Sequence, residues 1–281
     1  MPVVFPGHSG REPSRTVAAA LVPIFFAMAV GYGAGMTGLV DNRHVDALNT
    51  VVMVIALPIA LFTILASADR ADIVEHGAVG GAVLLVMGIT YVGVYFSQRH
   101  GYLQTRPSSA VQALTVAFPN TAAVGLPIAD SVLGRTGQLA VAVSLSVGSI
   151  TLSPATIVIL NRFSPDGADD ASTGTPSPSA VRALGLAVRT PVVIAPIVGI
   201  GWSLCGLPFP DLLDTTLSEL GNLTAGLALF VTGLVLSAQH LTLTSNVAVS
   251  TLVGDIARPL LAFLIVKALG LTAPMAAEPS Y

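Results

Sequence analysis

The sequence predicts an all-α integral membrane protein built from two related halves, the second shorter than the first. Three observations carry this expectation. Only 10% of the 281 residues are charged and 53% are hydrophobic, with a mean hydropathy of +0.80. A soluble domain carries about 25% charged residues, so this chain has too few to cover a water-facing surface. Eight apolar stretches stand along the chain, each near the 17 to 25 residues that a bilayer crossing requires. Finally, a set of residues in the first half recurs 168 positions later.

In chain order, the tail 1–17 carries Arg11 and Arg15 ahead of the first apolar run and shows no small-x-small site, so a cleaved leader is not expected. Spans are expected at 18–35, 48–66, 78–96, 110–133 and 139–160, forming a first repeat over 18–160. Residues 161–181, rich in Ser, Thr, Pro, Gly and Asp, read as a flexible hinge loop. A partial second repeat, 182–269, holds spans at 184–204, 220–236 and 247–269, and 270–281 is a tail. Within the first span, Gly31-Tyr32-Gly33-Ala34-Gly35 has no flanking strand, so it predicts close helix packing through Gly31 and Gly35 rather than a nucleotide loop. Pro23, Pro58, Pro154 and Pro196 predict kinks. Arg189, just before Pro191, is placed to snorkel to the interface.

Several chemistries find no support. The single cysteine, Cys205, excludes an internal disulfide. His8, His44, His76, His100 and His240 are assigned to loops or tails without metal spacing, and Ser144, Ser146, Ser149 and Ser153 have no His/Asp partner at a catalytic spacing. With a net charge of −3 and no basic run, nucleic acid is not an expected partner, and no cofactor or metal is called for. An enzyme is therefore not expected.

The internal repeat is specific in register. Pro23, Gly31, Gly33, Gly38 and Leu39 match Pro191, Gly199, Gly201, Gly206 and Leu207, all 168 apart, and the same offset lays Asp46, Ala60, Leu61 and Phe62 on Asp214, Ala228, Leu229 and Phe230. Five spans precede the hinge, and five is odd, so the second copy would enter the membrane inverted. Inverted repeats around broken helices are a transporter architecture. The counterpart of Pro119 would fall past Tyr281, so the second repeat is expected to be incomplete, with about eight spans in all. Basic residues do not settle orientation: the loops on either side hold five each.

The most informative stretch is 117–130, Ala-Phe-Pro-Asn-Thr-Ala-Ala-Val-Gly-Leu-Pro-Ile-Ala-Asp. Pro119 deprives the Thr115 carbonyl of its helical partner, and Pro127 does the same to Ala123. Each interior proline costs a helix about 3 kcal/mol or more, and freed backbone groups in hydrocarbon cost several more each. Such a segment is tolerable only when buried among helices or lining a watery cavity, which predicts a substrate site.

Asn120-Thr121-Ala122-Ala123-Val124-Gly125-Leu126-Pro127 resembles the Asn-x-x-x-x-Gly-x-Pro signature of the auxin efflux carrier family, which includes bacterial malonate and malate carriers and plant auxin exporters. Leu57-Pro58-Ile59-Ala60-Leu61-Phe62, Leu227-Ala228-Leu229-Phe230 and Thr190-Pro191 through Gly199 resemble further family patterns. The resemblance implies ten spans with both termini outside, a scaffold of spans one, two, six and seven, and a transport domain of the others. It also implies two crossed, proline-broken helices that hold an organic anion. This sequence departs from that pattern by lacking the ninth and tenth spans, which leaves a truncated, non-transporting protein of the same fold as the alternative.

The site chemistry agrees with an anion. After Gly125 the chain is expected to restart as a half-helix with Pro127 in its first turn, whose orphan N–H groups attract carboxylates. The substrate-binding candidates are Pro119, Asn120, Thr121, Gly125 and Pro127. Asn120 either donates to the anion or satisfies a freed carbonyl. Asp130, expected in that half-helix's first turn, is either a dipole partner or the carrier of a coupling proton. Asp255 and Arg258 share a helix face as an ion pair, or Arg258, beside Pro259, helps to hold the anion. The reading is thus a multi-pass plasma (inner) membrane carrier for a small organic anion, working by an elevator or rocking motion. Lacking an ATP-binding loop, it would be driven by a proton or sodium gradient or by membrane potential. A homodimer is one admissible assembly.

Overall fold

The computed structural model describes residues 13–163, 185, 188–239 and 244–270. Among them every element is helical: α1 Pro13–Met36, α2 Asn42–Ala66, α3 Arg70–Gly101, α4 Arg106–Ala117, α5 over 121–133, α6 over 135–163, α7 Pro191–Leu204, α8 Asp211–Ser237 and α9 Ser245–Ala268. Five stretches are long and apolar enough to cross a membrane, namely α2, α3, Arg106–Phe163, α8 and α9. Leu21–Met36 and α7 are apolar but shorter.

Element ends differ from the sequence expectation where polar caps, rather than hydropathy, decide them. The first helix begins at Pro13, inside the expected tail, since proline suits a first helical turn. Asp41 accepts from the Arg43 N–H at 3.0 Å and starts α2 several residues before 48. The third helix starts at Arg70 after extended Asp69, so His76 is buried on a helix rather than in a loop, its Nδ1 2.7 Å from the Asp72 carbonyl. His44 and His100 are likewise within helical turns. Helix α6 runs through Phe163, past the expected hinge start, whereas α7 begins only at Pro191 because Thr190 is extended. The rest of the hinge, 164–181, and the tail beyond Gly270 lie outside the described residues.

The stretch 106–163 is not one rod. Gly134 has φ 60° and ψ −145°, a conformation only glycine adopts without strain. On either side of it, Gly137 meets Ala129 and Leu133, Gly125 meets Val141, and Gly148 meets the Phe118 ring. Residues 125 and 141 would stand about 24 Å apart on a straight helix. Their contact therefore makes α5 and α6 an antiparallel hairpin. Arg135 at its tip donates to the Ser67 carbonyl at the end of α2, and Ser203 of α7 donates to the adjacent Ala68 carbonyl at 2.7 Å.

Three of the four π-turns among the described residues precede a proline. The π-turns Val51–Ala56, Thr121–Gly125 and Val253–Ala257 each end two residues before a proline, Pro58, Pro127 and Pro259. In each case the residue just before the proline donates five back, Leu57 to Val52, Leu126 to Thr121 and Arg258 to Val253. Widening the turn moves the preceding carbonyl away from the pyrrolidine ring, so helical hydrogen bonding resumes where an α-turn would clash.

Packing relies on small residues, as expected where lipid gives no hydrophobic drive between helices. Gly31 of α1 lies against the Phe230 carbonyl of α8, Gly35 against Ser237, and Gly233 against Met28 and Tyr32. In the same way Gly199 of α7 lies against Phe62 and Leu65 of α2. The expected packing through Gly31 and Gly35 is therefore present. Buried Leu57, Leu61 and Leu65 of α2 pack with Leu139, Ala142 and Leu145 of α6, and Met87 and Tyr91 of α3 pack with Ala113, Ala117 and Leu152.

Candidate functional site

Helix α4 starts on Thr105, whose hydroxyl accepts from the Ser108 N–H at 3.3 Å, and ends at Ala117. Proline at 119 removes the donor that would carry it on. Phe118 (φ −116°, ψ 84°) and Asn120 (φ −70°, ψ 64°) are non-helical. The break is tightly organised. The Phe118 N–H still donates to Leu114 at 2.8 Å, and the Pro119 carbonyl accepts from both the N–H and the hydroxyl of Thr121, at 2.7 and 3.1 Å.

Asn120 is the N-cap of the restarting helix, its Oδ1 accepting from the Ala123 N–H at 3.4 Å. The half-helix therefore starts at Thr121, one turn before the position expected from Gly125. This corrects the reading of Asp130: it lies nine residues beyond the first helical residue, whereas dipole effects fade within the first turn. The cap uses the amide oxygen and leaves the Asn120 NH₂ without a protein partner among the described residues. Asn120 is exposed, while Pro119, Thr121, Gly125 and Pro127 are half-buried. Behind them Ala123 is fully buried with Ile24 of α1 and Leu229 of α8. The break is thus backed by helices and presents one polar edge outward.

Arg258 reaches this break from α9, its Nη1 donating 3.0 Å to the Val116 carbonyl, an acceptor that the end of α4 releases. No ion pair with Asp255 forms: among the described residues the one ion pair is Arg43 with Asp41, at 3.5 Å. The expected Asp255–Arg258 pair is corrected accordingly, because the guanidinium has a backbone acceptor across the helix interface, and Asp255 is exposed. Two more polar bridges tie α9 to the same bundle, Gln98 to Asn246 at 2.6 Å and Gln112 to Ser250 at 2.9 Å. Arg258 also borders a cavity of about 250 Å³ between α3 and α9. Replacing it with methionine should destabilise the protein by about 1–3 kcal/mol, the cost of an orphaned buried acceptor, read as a lower thermal midpoint. An unchanged midpoint with lost substrate binding would instead place Arg258 on the substrate.

Asp130 is exposed and, with Leu126 and Pro127 of α5, lines a second cavity of about 310 Å³ framed by α2, α5, α6 and α8. Sequence reasoning missed the residues that share it, among them Thr63, Gln138, Asn222 and Thr224. Their only linear signal is a polar side chain in or beside an apolar run, which the eye assigns to helix patching. Among the described residues no group of three His, Cys, Asp or Glu could hold a metal ion.

Comparison with known proteins agrees with this architecture. The family model described as "Membrane transport protein" matches residues 16–278. Relatives named "Uncharacterized transporter YfdV" in Escherichia coli (strain K12), Escherichia coli O157:H7 and Shigella flexneri are 29% identical over 252 residues, covering 87% of this chain and 76% of theirs.

Proposed function

Since this chain belongs to the membrane transport protein family, of the auxin efflux carrier type, we propose that it is a secondary carrier of small organic anions such as dicarboxylates or auxin-like acids. The family consists of transporters and not enzymes, so the polar groups are read as binding and moving a solute. The observation that carries the proposal is the capped start of α5 at Asn120. There a helix N-terminus, with its partial positive charge, opens beside a free amide NH₂ inside a membrane bundle.

A moving bundle has support in the packing. Gly31 meets Phe230 and Gly199 meets Phe62, and both members of the second pair are the first pair carried along by the 168-residue offset. That reciprocity is what an inverted repeat would produce. It favours α1, α2, α7 and α8 as a scaffold, with α3 to α6 and α9 as the body that slides or rocks against it in the plasma (inner) membrane, with eight crossings over residues 13–268. An ion gradient or the membrane potential would supply the energy, each unit charge being worth about 2.3 kcal/mol per 100 mV. Uptake of labelled malonate, malate and indole-acetate into proteoliposomes, with imposed gradients, tests the proposal. Saturable uptake of at least one, competed by the unlabelled acid, is expected; uptake equal to protein-free liposomes for every acid tried would refute it.

A further inference from the structure

The geometry points to a binding site for a monovalent alkali cation in the 310 Å³ cavity between α2, α5, α6 and α8, apart from the break at Asn120. The first observation is a pair of hydroxyls. Thr63 and Thr224 are 3% and 1% exposed, and neither Oγ1 has a hydrogen-bond partner. Helical threonines in this protein normally return their hydroxyl to the carbonyl four residues back, as Thr50, Thr115, Thr215, Thr216 and Thr232 do. Thr63 and Thr224 forgo that bond, and both line the cavity. An orphaned buried hydroxyl costs about 1–3 kcal/mol, a cost that a polar occupant would remove.

The second observation is the composition of the wall. Asp130, Gln138, Ser218 and Asn222 also face the cavity and make no hydrogen bond among the described residues. Six residues with oxygen-bearing side chains therefore line the cavity without bonding one another, Thr63 and Thr224 buried, Gln138 and Ser218 half-buried, Asp130 and Asn222 exposed at its mouth. No lysine, arginine or histidine lines the cavity, so an anion would meet the Asp130 carboxylate uncompensated. Hard cations take carboxylate, hydroxyl and amide oxygens, and a single carboxylate balances a single positive charge. A divalent ion would keep one positive charge that no second carboxylate in the lining neutralises. A lone proton would need only one titrating group and would leave the threonines unpaired. The cavity has room for about ten waters at roughly 30 Å³ each, so the ion would sit partly hydrated.

The position gives the site a use. It bridges α2 and α8 on one side and α5 and α6 on the other, which, resting on the carrier reading above, are scaffold and moving body. An ion held there binds only the arrangement in which the two surfaces meet, and so biases the equilibrium between arrangements.

The test uses the full chain in detergent micelles, with equilibrium binding of ²²Na⁺ and ⁸⁶Rb⁺ and choline as the inert competitor. Saturable binding of at least one ion is expected, weakened at least tenfold in Asp130→Asn and in Thr224→Val but retained in Thr224→Ser. Elution position on size exclusion confirms that each variant is folded. Absence of saturable binding of both ions, or binding unaltered in folded Asp130→Asn and Thr224→Val, overturns the site. Asn120→Asp should lose anion uptake and keep cation binding; in the unsubstituted chain, saturable cation binding without uptake of any acid strikes the carrier reading alone, and acid uptake without cation binding strikes this one alone.

Discussion

Asn120→Asp is expected to abolish uptake while leaving the fold as stable as before. The two side chains are nearly equal as N-caps, so the carboxylate can still accept from the Ala123 N–H that Asn120 now caps at 3.4 Å. What changes is the outward edge. The substitution deletes the unpaired NH₂ and sets a negative charge where an organic anion would lie. Losing one hydrogen bond to a charged group costs about 1.5–3 kcal/mol, and like charges about 4 Å apart add up to about 4 kcal/mol at an effective dielectric near 20. Initial uptake at subsaturating substrate should fall by more than about a hundredfold, with the thermal midpoint within a degree or two of wild type. Asn120→Ala separates the parts, since it removes the cap as well and should lower both. If Asn120→Asp transports normally, the anion is not held at this helix start.

Gly31→Ala and Gly233→Ala should each cost about 3 kcal/mol or more, the upper range for overpacking. Both positions touch backbone of the facing helix, Gly31 at Phe230 and Gly233 at Met28 and Tyr32. A methyl group there cannot be relieved by rotating a side chain, so α1 and α8 must separate along their length. Gly33 and Gly226, on the same two helices, have open space at the Cβ position. Alanine at either should be neutral or stabilising by about 1 kcal/mol, because it is the better helix former. Thermal unfolding of the four variants in one detergent measures this; equal midpoints across all four would show that the α1–α8 contact contributes little to stability.

Much of this was legible in the linear chain for identifiable reasons. Hydropathy and length locate the apolar helices because a bilayer demands a minimum run of apolar residues. Pro119 and Pro127 announce a break because proline lacks a donor wherever it stands, and the break is present at 118–120. Gly31 and Gly35 announce a close contact, and it is made. Helix ends were read less well, since caps such as Asp41 and Thr105 act through one hydrogen bond and barely alter hydropathy. The restart at Thr121 was misplaced because a π-turn lets the chain stay helical up to Leu126, five residues before which the Thr121 carbonyl takes its bond.

The site divides along the same line. Asn120, Pro119 and Thr121 are neighbours in sequence, and local rules suffice to place them together. Arg258 and Val116 are 142 residues apart, and whether a guanidinium pairs with the carboxylate three residues away or with a carbonyl on another helix depends on which helix packs alongside. The cavity around Asp130 gathers residues from four helices, a gathering that no local pattern encodes. By itself, then, the sequence determined that the chain is helical, membrane-embedded and broken at Pro119, since those properties follow from composition and from single residues. Which polar groups face each other across helices was decided only in the tertiary structure, because glycine-sized contacts set how closely, and at what register, one helix lies on the next.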